Sequence, residues 1–217
     1  MATTVLSILQ EAQDQLNDSA GTRWPATELA RHLNDGQRET CNLRPDAFAT
    51  SGEITLVAGI KQTIPGACVK FMGVTRNTSG LPITKVDKAL LEASDPTWTT
   101  RAQTGVIKHY CYDPMYATAF DVYPPALVGT KVDGVWAAMP ADVATPSGAA
   151  YTTATGNITA PDEFKNALLN FVLYRAFSKD AEYGGNALLS AAHFSLFKSG
   201  LGDDYSTKAV VQPKTVT

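Results

Sequence analysis

The sequence predicts an α+β fold, an antiparallel helical bundle formed by the N- and C-terminal helices with an inserted, mainly antiparallel β domain. Three observations carry this reading. Apolar residues recur at helical spacing before residue 45 and again after residue 161. Between those regions the period drops to two, in short runs broken by Pro, Gly, Asn and Asp. Few helices of adequate length separate the strand candidates, so the crossover units that a parallel sheet needs are missing. The expected boundaries are 1–48 for an N-terminal helical hairpin, 49–160 for the inserted β domain, 161–200 for the helices completing the bundle, and 201–217 for an extended tail.

From Thr3 to Leu16, Val5, Leu9, Ala12 and Leu16 share one helical face, and Thr3 or Thr4 can cap it. After the turn NDSAGTR, Pro25 starts a second helix whose stripe is Leu29, Leu33, Gly36 and Thr40; proline fits a first turn because its missing N–H has no intrahelical partner there. This helix should end before Pro45, and so short a connection lays the two helices against each other. Ile54 and Leu56, Ile60 and Ile64, then Val69, Phe71 and Gly73 show strand alternation, punctuated by Pro65-Gly66 and Asn77 to Gly80, which predicts a hairpin or meander. Further strand candidates are Leu81 to Val86, Gly105 to Tyr112, Thr118 to Tyr123 and Thr130 to Ala137, with Asp113-Pro114 and Pro124-Pro125 as stops and Asp87 to Ala93 as a helical turn.

Residues 140 to 160 are rich in Ala, Thr, Pro and Gly and read as a long loop or a weak extra strand. Asp162 is the expected cap of the helix FKNALLNFVLYRAF, whose apolar residues spread beyond one face, so it should be central. A last helix, weakened at its start by Gly184 and Gly185, puts Leu189, Ala192 or His193, and Leu196 on one side and ends near Gly200.

Composition excludes several classes. At 217 residues and 44% hydrophobic, the chain is long enough for one large core or two small ones, so disorder and a tiny stapled scaffold are disfavoured. Only 18% of residues are charged, below the roughly 25% usual for a soluble domain. A net charge of -3 gives no global basic field for a phosphate backbone. Cys41, Cys68 and Cys111 lie far apart without a C-x-x-C pair and read as buried thiols. The opening MATTVLSILQEAQ reads as the first helix and not as a signal peptide, and no stretch approaches the roughly 18 apolar residues of a membrane span, so a soluble location is expected.

The motifs of chemistry are missing. His32, His109 and His193 sit one per element with no HxxxH, HExxH or Cys-His spacing and read as surface, helix-face or interface histidines. GxGxxG, GxxxxGK[ST] and GxSxG do not occur. Asp35, Glu39, Asp162, Glu163, Asp180 and Glu182 could supply paired carboxylates, but caps and solvated faces account for them. No catalytic, cofactor-binding or metal residue is therefore assigned. Arg23-Trp24-Pro25 places a large aromatic before a helix start, where it can cover a neighbouring helix. The tyrosine-rich HYCYDPMYATAFDVYPP could form a small core, an interface or a ligand groove built on Tyr110, Tyr112, Tyr116 and Tyr123.

Three spaced segments, RWPATELARHLNDGQRE with LRPDAF, KHYCYDP with DVYPP, and ALLNFVLYRAFSKDAEYGGNALLSAAHF, resemble phage head-to-tail adaptor proteins of the tail-tubular-protein-A-like class over residues 3 to 200. The resemblance implies a non-enzymatic virion protein, assembled in the host cytoplasm as a ring of about twelve copies, with the portal above and a tail nozzle or other tail protein below. Genomic DNA would pass through its lumen without sequence-specific reading, and no cofactor or membrane is implied. The matching residues Trp24, Pro25, Leu33, Asn34, Arg38, Arg44 and Pro45 are expected to set helix packing and turns, and Asp203 to Thr217 to extend toward the portal. Competing readings are another connector or tail-completion layer, or a carbohydrate or small-ligand binding module using the tyrosine-rich sheet.

Overall fold

A computed structural model describes residues 2–66, 68–179 and 184–202. The chain is α+β, with five helices and two small sheets among the described residues. It divides into a unit formed by Met1–Ala47 with Pro140–Thr217 and a second formed by Phe48–Met139. The expected tail from residue 203 and the carboxylates Asp180 and Glu182 lie outside the described residues.

In the first unit, α1 spans Val5–Gln15 and is capped by Thr4, whose hydroxyl accepts from the Ser7 amide at 3.2 Å. The turn after it closes on Asp18, whose carboxylate accepts from the amides of Thr22, Arg23 and Trp24 at 2.8–2.9 Å. The Trp24 amide, helped by those of Thr22 and Arg23, holds that carboxyl below its ordinary pKa. Helix α2, Ala26–Leu43, follows Pro25, and the predicted stripe of Leu29, Leu33, Gly36 and Thr40 is buried. Gly36 has a packing reason: a Cβ there would lie 2.9 Å from the Phe171 ring.

Helix α4, Lys165–Ser178, comes after α3 (Lys88–Ser94, in the second unit) and touches α1, α2 and α5 (Gly184–Gly200), which explains why seven of its residues are buried around most of its circumference. Asp162 does not cap it. A short 3-10 turn, Asp162–Phe164, intervenes, and the Asp162 carboxylate accepts from the Thr3 amide at 2.6 Å. Helix α5, Gly184–Gly200, ends where expected but is rotated from the predicted orientation. Ser190 and Phe197 are its buried positions, while Leu189 and Leu196 are exposed. The aromatic run decides this: Phe197 packs on Phe171 at 5.0 Å between centroids, and Phe194 on Tyr174 at 4.8 Å.

The second unit holds β1 (Ala49–Thr55), β2 (Gly59–Thr63), β3 (Cys68–Asn77), β4 (Thr84–Lys85), α3 (Lys88–Ser94), β5 (His109–Cys111), β6 (Ala119–Ala126) and β7 (Lys131–Ala138). One sheet has the order β1-β7-β3, the other β2-β6-β5-β4. All pairs are antiparallel except β4 with β5. The expected hairpin or meander of β1, β2 and β3 does not form, because β1 and β3 both pair with β7 while β2 crosses to β6 in the other sheet. Only two residues of Leu81 to Val86 and three of Gly105 to Tyr112 are strand.

Pro124 and Pro125 do not stop β6, which runs through both. They fall where the β2–β6 register shifts between Gly59 and Lys61, so the ladder there needs no amide from them. Helix α3 is capped by Asp87, whose carboxylate accepts from the Ala89 amide at 2.8 Å. The main core of this unit gathers Ile54, Leu56, Phe71, Ile107, Tyr110, Phe120, Val122 and Val132.

Candidate functional site

The residues marked by the RWP and LRP segments act as fasteners in the helical unit. Trp24 is buried and its indole N–H donates to the Ala176 carbonyl of α4 at 3.1 Å. Asn34 reads the backbone of Val143 in both directions, accepting from its amide at 2.8 Å and donating to its carbonyl at 3.3 Å. One turn on, Gln37 accepts from the amides of Thr159 and Ala160 at 2.7 and 3.1 Å. Arg38 holds Asp142 through both carboxylate oxygens. Arg44 pairs with Asp46, lies over Phe164 and donates to the Leu201 carbonyl at the end of α5. Leu33 and Pro45 are buried. Residues 140–160 are thus strapped along α2, and Val5 adds a bond to the Gly156 carbonyl at 3.0 Å.

His193 meets Asn170 at 2.9 Å and stacks on Phe177, with burial lowering its pKa. His109 contacts Thr84 and stacks on Tyr123. His32 is mostly buried on α2, and neither ring nitrogen has a hydrogen-bond partner. Burial, reinforced by Arg175, lowers its pKa against the opposing pull of Glu28 and Asp35. Asp35 pairs with Arg38 at 3.6 Å. Cys41 and Cys111 are buried, Cys68 half-buried, and burial raises the pKa of each thiol. Among the described residues, no group of three His, Cys, Asp or Glu is placed to hold a metal. No helix among them is long and apolar enough to cross a membrane.

The tyrosines do not converge. Tyr110 and Tyr112 pack edge-on against Phe71, centroids 6.5 and 5.0 Å away. Tyr123 belongs to a separate cluster with Leu91, Trp98 and Cys111, and Tyr116 is exposed. This segment serves two cores.

Two uncharged apolar surfaces stand out among the described residues. One is the outer face of α5, with Leu188 76%, Leu189 45% and Leu196 53% exposed. Residues 184–197 contain no Asp, Glu, Lys or Arg. The other is one end of the β unit, where Val57, Leu81, Val106, Leu127 and Val128 are exposed on four neighbouring loops. These loops are braced from below. Gln62, 2% exposed, accepts from the Val57 amide and donates to the carbonyls of Val57 and Gly59. Asn77, 1% exposed, accepts from the Ile107 amide and donates to the carbonyls of Ile107 and Leu81. Backbone bonds join Leu56 to Thr130 and Leu127 to Thr104. Reading the sequence strand by strand missed this surface, although residues 56–59, 78–82, 102–107 and 126–130 all lack charge and carry apolar side chains where turns are normally polar.

A family model describing the SU10 adaptor protein matches residues 3–215, nearly the whole chain. The chain belongs to the SU10 adaptor protein family. No curated protein matches it significantly. Membership makes it a phage structural adaptor and a virion component, which associates with other phage head and tail proteins. The SU10 adaptor match spans both the strapped helical unit and the β unit, so the fasteners and the two apolar surfaces all belong to the matched region.

Proposed function

We propose that this SU10 adaptor protein is a ring-forming head-to-tail adaptor of the tail-tubular-protein-A-like type. It joins the portal to the tail nozzle or another tail protein and surrounds the DNA exit channel. The observation that carries this reading is the family match over residues 3–215. In this role the terminal helices, with residues 140–160 strapped along α2, form the antiparallel bundle, and Phe48–Met139 rather than 49–160 is the inserted β domain. A closed ring of about twelve copies needs two unlike surfaces on every subunit, because each contact around it is heterologous. The apolar α5 face and the apolar β end supply unlike surfaces that cost little to desolvate. A net charge of -3 suits a wall past which DNA slides without adhering. No residue is assigned a catalytic, cofactor or metal role in this function.

Cryo-electron microscopy of intact virions tests the proposal. The expected result is a ring of this chain between portal and tail with DNA in its lumen. Density for the chain in another layer would assign it to a different connector or tail-completion position, and a lumen lined by a continuous belt of lysine and arginine would overturn the idea of non-adhesive passage.

A further inference from the structure

We infer that the α5 face carrying Leu188 and Leu196 is covered by the apolar β end of a second copy of this chain, at Val57, Leu127 and Val128. This rests on the ring reading and names the contact within it.

Charge selects the kind of partner. An outer helix normally interleaves charged residues along its solvent face. Here residues 184–197 carry none, and three leucines stand exposed beside Ala187, Ala191 and Ala192. A partner presenting charge would desolvate it against this face without an ion pair in return. The four β-end loops match this requirement, because they too lack charge and expose Val128 by 70% and Val57 by 56%. Each copy carries one face of each kind, so supply is one to one at every contact around a ring.

An isologous α5–α5 contact would close as a dimer and leave the β end of each copy uncovered. In the heterologous arrangement every copy is covered twice, once on each surface. The loops are also prepared for contact: Gln62 and Asn77 spend buried hydrogen bonds on holding exposed apolar residues in place, which lowers the ordering cost on binding.

The test is disulfide trapping in the full chain, with the single variants Leu188→Cys and Val128→Cys, the double variant, and native mass measurement of the wild type alone and with portal. Under mild oxidation the double variant should give a ladder of multimers, at least tenfold more than either single variant. Dimers from Leu188→Cys alone would overturn the inference in favour of an α5–α5 contact. A wild type that forms rings while the double variant stays monomeric would overturn it and leave the ring reading intact. A wild type that stays monomeric even with portal would remove both. As a second variant, Leu188→Glu sits at an exposed position and should keep the wild-type melting temperature while weakening ring assembly at least tenfold. Rings that form normally but no longer join the portal would instead assign the α5 face to the portal.

Discussion

Replacing Asn34 by alanine strands the backbone of Val143. Asn34 now satisfies both its amide, at 2.8 Å, and its carbonyl, at 3.3 Å, in a buried setting. Each stranded buried group costs about 1–3 kcal/mol. Val143 lies in a segment without regular structure, where water can reach part of the vacated space, so the expected loss is about 2–4 kcal/mol rather than the full sum. In a chain of this size 1 kcal/mol moves the melting temperature by about 2–4 °C, so the transition of the helical unit should fall by about 4–16 °C. The neighbouring residue provides the control. Both carboxylate oxygens of Asp142 accept from Arg38 Nη2, yet the Asp142 and Arg38 side chains are 52% and 44% exposed, so Asp142→Ala should cost less than about 1 kcal/mol. Circular dichroism melts of both variants, with amide exchange at residues 140–146, measure the difference. Equal effects from the two substitutions, or a fall below about 3 °C for Asn34→Ala, would refute the argument that the buried amide rather than the ion pair fastens this segment.

Trp24→Phe removes the indole N–H from the Ala176 carbonyl and should cost about 1–2 kcal/mol, read as a lower urea midpoint. Gly73→Ala should cost about 2–4 kcal/mol in the β unit, since Gly73 has φ +146° and a Cβ would lie 2.3 Å from the Tyr110 hydroxyl oxygen; a melt unchanged from wild type would contradict this. His32 has its pKa lowered from 6.5 in the folded state. The stability gained by keeping it neutral is fully present above 6.5 and is lost as pH falls through the lower folded value. His32→Leu should therefore show a shallower loss of melting temperature between pH 7 and pH 5 than the wild type, with a remaining slope from His193, whose pKa is also lowered.

Periodicity made the helices legible because each buries a stripe that its own sequence defines. The Leu29, Leu33, Gly36 and Thr40 stripe and the central α4 are local properties of this kind. Orientation of α5 was not legible, since Leu189 and Leu196 share a face as regular as that of Ser190 and Phe197, and only the aromatics of α4 choose between them. Strand pairing was equally hidden. Alternation marks β1, β2 and β3 as strands, but their partners β7 and β6 lie more than 50 residues away, and no local turn announces that. The cap assigned to Asp162 failed for a similar reason, because Thr3, 159 residues distant, competes for its carboxylate. The sequence marks Asn34 as a helix-packing and turn determinant and does not single out Gln37; what they hold is backbone of residues 143 and 159–160, whose composition gives no sign of being strapped.

The helical unit is discontinuous, with Ala47 and Pro140 at its break, whereas Phe48–Met139 is a single stretch of chain. During synthesis at about 5–20 residues per second, a contiguous domain can fold as soon as it emerges, but α2 waits for α4 until a further hundred or so residues have been made. The bond from Trp24 to Ala176 joins residues 152 apart in sequence, and its loop-closure entropy is settled only then. The fasteners along α2 therefore engage late, and the outer face of α5 comes into being after α1, α2 and α4 have been made.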